Sequence, residues 1–471
     1  MKNATVVGSG PNGLACAITL VEAGISVSVL EAEKSFGGSA RSMELTLPGY
    51  IHDHCAAVHP MAACSPFFTR LPLADFGLKW LYSPVSLAHP LDDGTAVLLH
   101  RSIRETAVAL GIDKNTYAKW MTPWVHRWSD LAPDVMAPPL GFPKHPVLMA
   151  RFGMNALRSA RGLVDSLFQG ERARALFGGI AGHSGVPFSS AASAAIGMIL
   201  GAAGHAIGWP IFEGGTGRLV QALISYLESK GGKLKSGICV KSLSEFSPEE
   251  LVFLNITPRQ LIRISENKLP RSYLESMSRF RYGPGVFKLD FALSGPIPWK
   301  AKECALATTV HIGGTFEEIE ASEGSCWKEK IPEHPFVILA QPSLIDPTRA
   351  PEGRHTIWAY CHVPLSSTVD MTDRIIGQIE RFAPGFRDLI IEKSAISPAE
   401  MEKHNANRIG GDINGGAAFI RQILFRPIFE MDPYRTPIPR VFLCSSSTPP
   451  GGGVHGMCGV NAAKSALGRF L

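Results

Sequence analysis

An α/β fold built on a dinucleotide-binding βαβ unit is what the sequence predicts, and three neighbouring stretches carry the prediction. A β-branched, apolar run from Lys2 to Val7 leads directly into Gly8-Ser9-Gly10-Pro11-Asn12-Gly13. The helical run Leu14 to Leu20 follows, and after it a second strand pattern, Ile25 to Leu30. That strand ends on Glu31, at the spacing from the glycines where a ribose-binding carboxylate belongs. Strand, glycine turn, helix, strand and acid in register form a Rossmann-like pattern.

Each position has a physical task in that pattern. Gly8 makes the tight turn, Gly10 lets a pyrophosphate approach the backbone, and Gly13 lets the helix pack closely on the strand. Pro11 and Asn12 open the helix, where unpaired N–H groups and the positive end of the dipole favour an anion. Glu31, with Ala32 beside it, is suited to the adenosine ribose hydroxyls and repels a 2′-phosphate, so FAD or NAD is expected rather than NADP. The next segment decides between them. Gly37, Gly38, Ser39 and Arg41 bring further backbone and a cation toward the phosphates, and they resemble the pattern of FAD enzymes in the amine oxidase and carotenoid desaturase superfamily. FAD is the cofactor that this resemblance implies.

At 471 residues the chain has room for two domains with sizeable cores, and 45% hydrophobic against 18% charged residues describes a folded, rather apolar protein. A net charge of +5 is too mild to suggest nucleic acid as a partner, although it suits weak attraction to an acidic membrane surface. The nine cysteines are scattered and form no CxxC pair, which argues against a disulfide framework, a zinc site and a dithiol redox centre. The first strand starts next to Met1 and leaves no room for a leader, so a cytoplasmic location is expected, with peripheral membrane contact as an additional reading.

His52, Asp53, His54 and His59 crowd the stretch from Tyr50 to Pro60. No further ligand cluster accompanies them, and no metal is expected. In related flavoproteins this stretch passes near the flavin ring, which makes His59 a candidate on the substrate side; a buried, hydrogen-bonded histidine is the alternative. From about 75 to 210 Pro-rich loops alternate with helical stretches, an insertion between pieces of the nucleotide domain. Its helix candidate Val147 to Phe177 carries Arg151, Arg158, Arg161, Arg172 and Arg174, a basic amphipathic pattern that fits either a membrane surface or a solvated arginine face. Val186 to Phe212 has only His205 as a titratable residue, yet its glycines, alanines and serines read as a buried helix lining an apolar cavity rather than a membrane span.

Beyond it come a helix, Leu219 to Lys230, a strand, Ile238 to Lys241, and another strand, Leu251 to Ile256, which Thr257-Pro258 breaks. The superfamily resemblance puts a backbone group near Val240 against the adenine. Alternation from Val286 to Leu293, strand patterns at Phe336 to Gln341 and Thr356 to Val363, and a helix at Thr372 to Phe382 make a mixed sheet with helices over it. The strand Arg440 to Ser447 then leads through a glycine-rich turn to the last helix, Ala462 to Phe470. Gly453, His455, Gly459, Val460 and Asn461 belong to this turn and helix opening, a second anion-binding terminus suited to charge developing at the flavin N1 and C2 carbonyl. Residues 1–74, 211–260 and 405–471 are expected to form a discontinuous FAD-binding domain. An inserted substrate-binding domain of mixed sheet plus helices takes 75–210 and 261–404.

Together with Tyr282-Gly283-Pro284-Gly285, His311-Ile312-Gly313-Gly314, Arg381 to Phe386, Gly410 to Gly416 and the terminal Pro-Pro-Gly-Gly-Gly-Val-His-Gly, these segments resemble the phytoene/carotenoid desaturase-like FAD-dependent oxidoreductases. Within them the chain is most similar to the group related to pyridine nucleotide-disulfide oxidoreductase domain-containing protein 2. That resemblance implies an oxidoreductase taking a hydride from a C–H bond of a small apolar or lipid-like substrate. Reoxidation would fall to oxygen or a quinone, since no dithiol and no second complete nucleotide motif are present. Lys288 resembles the amine oxidase lysine that holds a water against flavin N5, so Lys288, His455 and His59 are the catalytic candidates. Asp290 lies on the same strand face, and a structural Lys288–Asp290 ion pair is the alternative. Two other functions compete: a flavin-bearing scaffold without turnover, and a flavin amine oxidase, whose paired tyrosines are not recognisable in the C-terminal stretch.

Overall fold

A computed structural model describes residues 3–266 and 268–470, and Lys2, the predicted start of the first strand, lies outside them. Two sheets organise the chain. The first has five parallel strands in the spatial order Val441–Leu443, Leu251–Leu254, Asn3–Val7, Ser26–Leu30 and Lys233–Lys235. Its central strands are β-branched and apolar because both faces are covered. Val6, Val29 and Phe253 face the core shared with the helices Pro11–Glu22, Gly217–Ser229 and Met457–Phe470. Val252, Leu254, Val441 and Leu443 face the helices Pro258–Ile264 and Arg271–Ser278. The sequence places the exit from this layer after residue 260; Leu261, Ile264, Tyr273 and Met277 share one apolar side, and burying it keeps the chain on the sheet through Met277.

The second sheet is mixed and has seven strands, in the order Ile390–Ile396, Gly285–Leu293, His355–Val363, Val337–Ala340, Ala307–Ile312, Val85–Pro90 and Ala96–Leu99. All neighbours are antiparallel except Ala307–Ile312 with Val85–Pro90. Period-2 alternation splits its side chains. Leu289, Phe291, Val310, Leu339, Ile357 and Ala359 pack against Ile375, Ile376, Ile379 and Phe382 of the helix Thr372–Phe382, which spans the residues predicted for it. The opposite face carries Ile338, Ala340, Trp358 and Tyr360 and looks toward the helix Ala194–Ala206.

Three predicted elements are corrected. The strand expected at Ile238 to Lys241 forms instead at Lys233–Lys235, pairing with Ser28 to Leu30. Gly237, at a φ of 73°, turns the chain out of the ladder, and after the Ile238 N–H bonds the Glu31 carbonyl no neighbouring strand is left to pair with. The single helix expected over Val147 to Phe177 is three, Pro146–Ala156, Ala160–Leu167 and Glu171–Gly182. Ser159 caps the second by accepting the Gly162 N–H, and its extended backbone starts a new axis there. The last helix begins at Met457, ahead of the predicted Ala462. The apolar run around residue 200 folds into a 13-residue buried helix, and among the described residues no helix is long and apolar enough to cross a membrane.

Candidate active site

The glycine turn closes as tightly as its spacing demands. A Cβ on Gly13 would stand 1.9 Å from the Gly8 carbonyl oxygen, one on Gly10 would lie 3.1 Å from Asn255 Nδ2, and one on Gly38 would lie 3.3 Å from Gly10 Cα. Gly38 therefore lies on the turn itself and in the cavity wall, whereas a side chain on Gly37 would meet Val220 and the Ala40 carbonyl behind it. Ser9 locks the arrangement. Its N–H and hydroxyl both donate to Glu31 Oε2, at 2.9 and 2.6 Å, and its oxygen accepts the Gly37 N–H at 2.9 Å. Glu31 Oε1 accepts the Glu33 N–H, so the carboxylate is oriented while keeping acceptor capacity for a hydroxyl.

One continuous cavity of about 510 Å³ runs from this turn into the space between the two sheets. Gly8, Gly10, Pro11, Asn12, Glu31, Ala32, Gly38, Ser39, Arg41, Val240, Gly453, His59 and His455 line it, bringing together most of the residues picked from the sequence. Arg41 Nε and Asn12 Oδ1 are buried there without a protein partner. Ser39 is held from behind by Asn405 Nδ2 at 2.8 Å and Arg408 Nε at 2.9 Å. Glycine-framed backbone, an unpaired arginine N–H in the cavity wall and an oriented carboxylate one strand away match the diphosphate and ribose of a dinucleotide such as FAD.

Other predicted residues lie outside the wall. Gly13 and Gly37 shape the turn from behind. Gly459 meets the Asn12 carbonyl, Val460 is buried in the core and Asn461 Nδ2 donates to the Met136 carbonyl, so these three positions, inside the first turns of the helix that starts at Met457, act through packing. Lys288 is fully buried and its ammonium sits against the Asp290 carboxylate. In the sheet register it is opposite Tyr360, which does line the cavity, while Lys288 itself does not. Burial raises Asp290 to about 6, although Lys288 pulls it down. His52 Nδ1 approaches Asp290 Oδ1 at 3.5 Å, completing a polar layer behind the wall.

Burial disfavours the charged form of the two wall histidines picked from the sequence, His59 and His455. His59 stacks on Phe212, and burial lowers it to about 4. Its Nε2 is 2.7 Å from Thr216 Oγ1, whose proton goes to the Ala56 carbonyl, so the imidazole donates from Nε2 and keeps a lone pair on Nδ1. His455 accepts the Met457 N–H on Nδ1 at 3.0 Å and is also lowered to about 4 by burial. Behind them Asp53 accepts from Thr216 N and Ser42 Oγ and pairs with Arg349 at 2.7 Å; despite burial, that guanidinium holds the carboxyl below its usual range.

Away from the nucleotide end, Val58, Met61, Val135, Met136, Ile196, Ile199, Leu200, Trp209, Ile338 and Trp358 make the chamber apolar. Trp358 and Tyr360 fall within the strand expected at Thr356 to Val363 but are not among the site residues expected from the sequence. His183, also in the wall, and the supporting Ser9, Asn255 and Arg408 had no local signal, because their partners come from distant segments.

Residues 6–70 match the NAD(P)-binding Rossmann-like domain. Over 98% of its length the chain is 24% identical to pyridine nucleotide-disulfide oxidoreductase domain-containing protein 2 of Rattus norvegicus, covering 92% of that protein. Over an alignment of 134 residues that covers 27% of this chain and 26% of the relative, it is 28% identical to 4,4'-diapolycopen-4-al dehydrogenase of Metabacillus indicus. An oxidoreductase from Methanosarcina mazei superposes with a TM-score of 0.68 at 16% identity, with 100% of both chains covered. Putrescine oxidase bound to putrescine gives 0.63 at 18%, with 99% of each chain covered. The resemblance read from the sequence and the Rossmann-like α/β fold with its inserted mixed sheet are borne out, and these relatives are oxidoreductases by name.

Proposed function

We propose that the chain is an FAD-dependent oxidoreductase acting on a C–H bond of an apolar, lipid-like substrate. The observation that carries this reading is the continuity of the cavity, whose nucleotide end runs without a partition into the apolar chamber between the Ala194–Ala206 helix and the second sheet. Bound FAD supplies a two-electron hydride acceptor. The residues of the chain supply binding, orientation and exclusion of water, and hydride transfer needs reacting atoms only about 3–3.5 Å apart rather than a strong acid or base. His59 and His455 line the cavity as neutral imidazoles, so they add hydrogen-bonding capacity without a fixed charge. Oxygen or a quinone is the proposed acceptor, since the sequence carries no second complete nucleotide motif; nucleic acid has no part in this reading.

Purified protein is expected to be yellow with bound flavin and to be bleached by dithionite or light. Gly10→Leu, which fills the place of the diphosphate, is expected to give a colourless protein. A wild-type protein that takes up no FAD would end the reading. A flavin-bearing scaffold without turnover is disfavoured by the chamber, for which a scaffold has no use, and flavin that cannot be reduced would restore it.

A further inference from the structure

We infer that His183, oriented by His311, grips the polar end of the substrate, and that this end is an uncharged hydrogen-bond acceptor, a carbonyl oxygen on an apolar chain. The inference rests on the oxidoreductase reading of the same cavity and names its substrate class. Among the described residues lining the apolar half of the cavity none is charged, and the polar groups there are His59, His183, Thr309, Trp358 and Tyr360, with Trp209 already donating to the Leu200 carbonyl. Thr309 Oγ1 and Trp358 Nε1 are buried without a partner. Thr309 pairs with Ala340 and Ala340 with Trp358, so the two unpartnered groups stand on one line across the sheet face. His311 is two residues along the strand from Thr309 and therefore shares that face.

His311 decides what His183 presents. Their Nε2 atoms are 2.8 Å apart, so one donates and the other accepts. His311 Nδ1 is buried and has no partner, pressed against the helix at Gly179, where a Cβ would come within 2.7 Å of it. A buried N–H without an acceptor is the costlier orphan, so His311 carries its proton on Nε2 and gives it to His183 Nε2. His183 then carries its own proton on Nδ1, the ring nitrogen left open toward the cavity. Burial lowers His183 to about 3, so it stays neutral. The chamber thus offers N–H and O–H donors around His183, one neutral acceptor lone pair on His59 Nδ1, and no counter-charge. An ammonium group would be buried there with no carboxylate, and a carboxylate would be buried without a cation, because Lys288 is already committed to Asp290. A carbonyl oxygen takes these donors at no charge-burial cost.

The test titrates flavin-loaded protein with decanal, decane and decylamine, reading the visible flavin spectrum and the fluorescence of Trp209 and Trp358. Decanal is expected to bind about tenfold more tightly than decane, the size of one neutral hydrogen bond, and decylamine more weakly than either. His183→Phe should bring decanal down to the level of decane, whereas His183→Gln, which keeps an N–H donor, should retain part of the preference. His311→Leu should lower it without touching the ligand. Flavin content matching the wild type checks that each variant is folded, and the wild-type ligand series decides on its own if His183→Phe is not. An aldehyde preference that survives His183→Phe, or an amine that binds as tightly as the aldehyde, overturns the inference while leaving a flavoprotein; a colourless wild type instead ends the reading it rests on.

Discussion

A Cβ on Gly459 would stand 1.8 Å from the carbonyl oxygen of Asn12, so the last helix of the chain crosses the first at a distance only glycine permits. Asn12 also lines the nucleotide end of the cavity, which joins the C-terminal helix to the cofactor site through packing. Gly459→Ala must push the two backbones apart. We expect a loss of about 3 kcal/mol or more, above the usual range for overpacking because the obstacle is backbone, with a parallel fall in flavin content. Gly468→Ala on the same helix has open space around it and is expected to be neutral or to stabilise by up to about 1 kcal/mol. Thermal melts of the two variants check this, and equal melting temperatures would refute the crossing as a constraint.

Gly459 also shows where local sequence stops informing. A glycine near a helix opening reads the same whether it admits an anion or another helix, and Asn12, which distinguishes the two, lies at the other end of the chain. The βαβ unit was legible because strand, turn, helix and acid are contiguous. The helix Thr372–Phe382 and the strand His355–Val363 were legible because their apolar periods of 3.6 and 2 match the cores they face. The misplaced strand at 238–241 has the composition of a strand, and only the turn at Gly237 and the lack of a neighbour prevent it. The His183–His311 contact joins a helix end to a strand 128 residues away, and no local pattern announces it.

Acid should unfold the protein earlier than its carboxylates alone dictate. Burial holds His59, His89, His205 and His455 down to about 4, and His52, His54 and His183 to about 3, from an ordinary 6.5. A depressed folded value means that the stability is fully present above 6.5 and is lost as pH falls toward 4. At about pH 5 each such histidine removes roughly 2 kcal/mol, because the unfolded chain takes up the proton and the folded one does not. His362 runs the other way: burial lowers it, but Glu323 at 2.8 Å more than offsets this and raises it, so its contribution fades as pH rises. Denaturant midpoints should drop steeply between about pH 6.5 and 5, and less steeply in His59→Gln. A flat profile over that interval would count against the buried neutral histidines.

Lys288 separates two roles with one substitution. Lys288→Met leaves Asp290 buried without its cation, and we expect a loss of about 3–5 kcal/mol, largely recovered in Lys288→Met with Asp290→Leu. As a partner in an ion pair behind the wall, Lys288 should leave the reoxidation rate of photoreduced protein unchanged in the stable double variant. A slowed reaction with oxygen in that variant would instead give the lysine a part in flavin chemistry, as the sequence resemblance suggests.

Membrane contact, if it delivers the substrate, should not run through most of the arginines of residues 147–177. Arg161 and Arg174 pair with Asp165 and Glu317, Arg161 also with Glu320; Arg172 donates to the Ala109 and Ala96 carbonyls and Arg158 to the Gly162 carbonyl. What remains exposed is the outer side of the Pro146–Ala156 helix, with Val147 66% and Met154 69% accessible around Arg151, and Phe142 at 90% just before it. The inner side of that helix packs near the Ala194–Ala206 helix, whose Ile196, Ile199 and Leu200 line the chamber, so a lipid-facing surface here is one helix away from the substrate space. Apolar side chains ringed by a cation suit the boundary of an anionic bilayer. We expect the protein to float with anionic liposomes at low salt, Val147→Glu with Met154→Glu to abolish this, and Arg161→Gln to leave it intact. Flotation that ignores the two glutamates, or no flotation at all, would leave substrate delivery to solution.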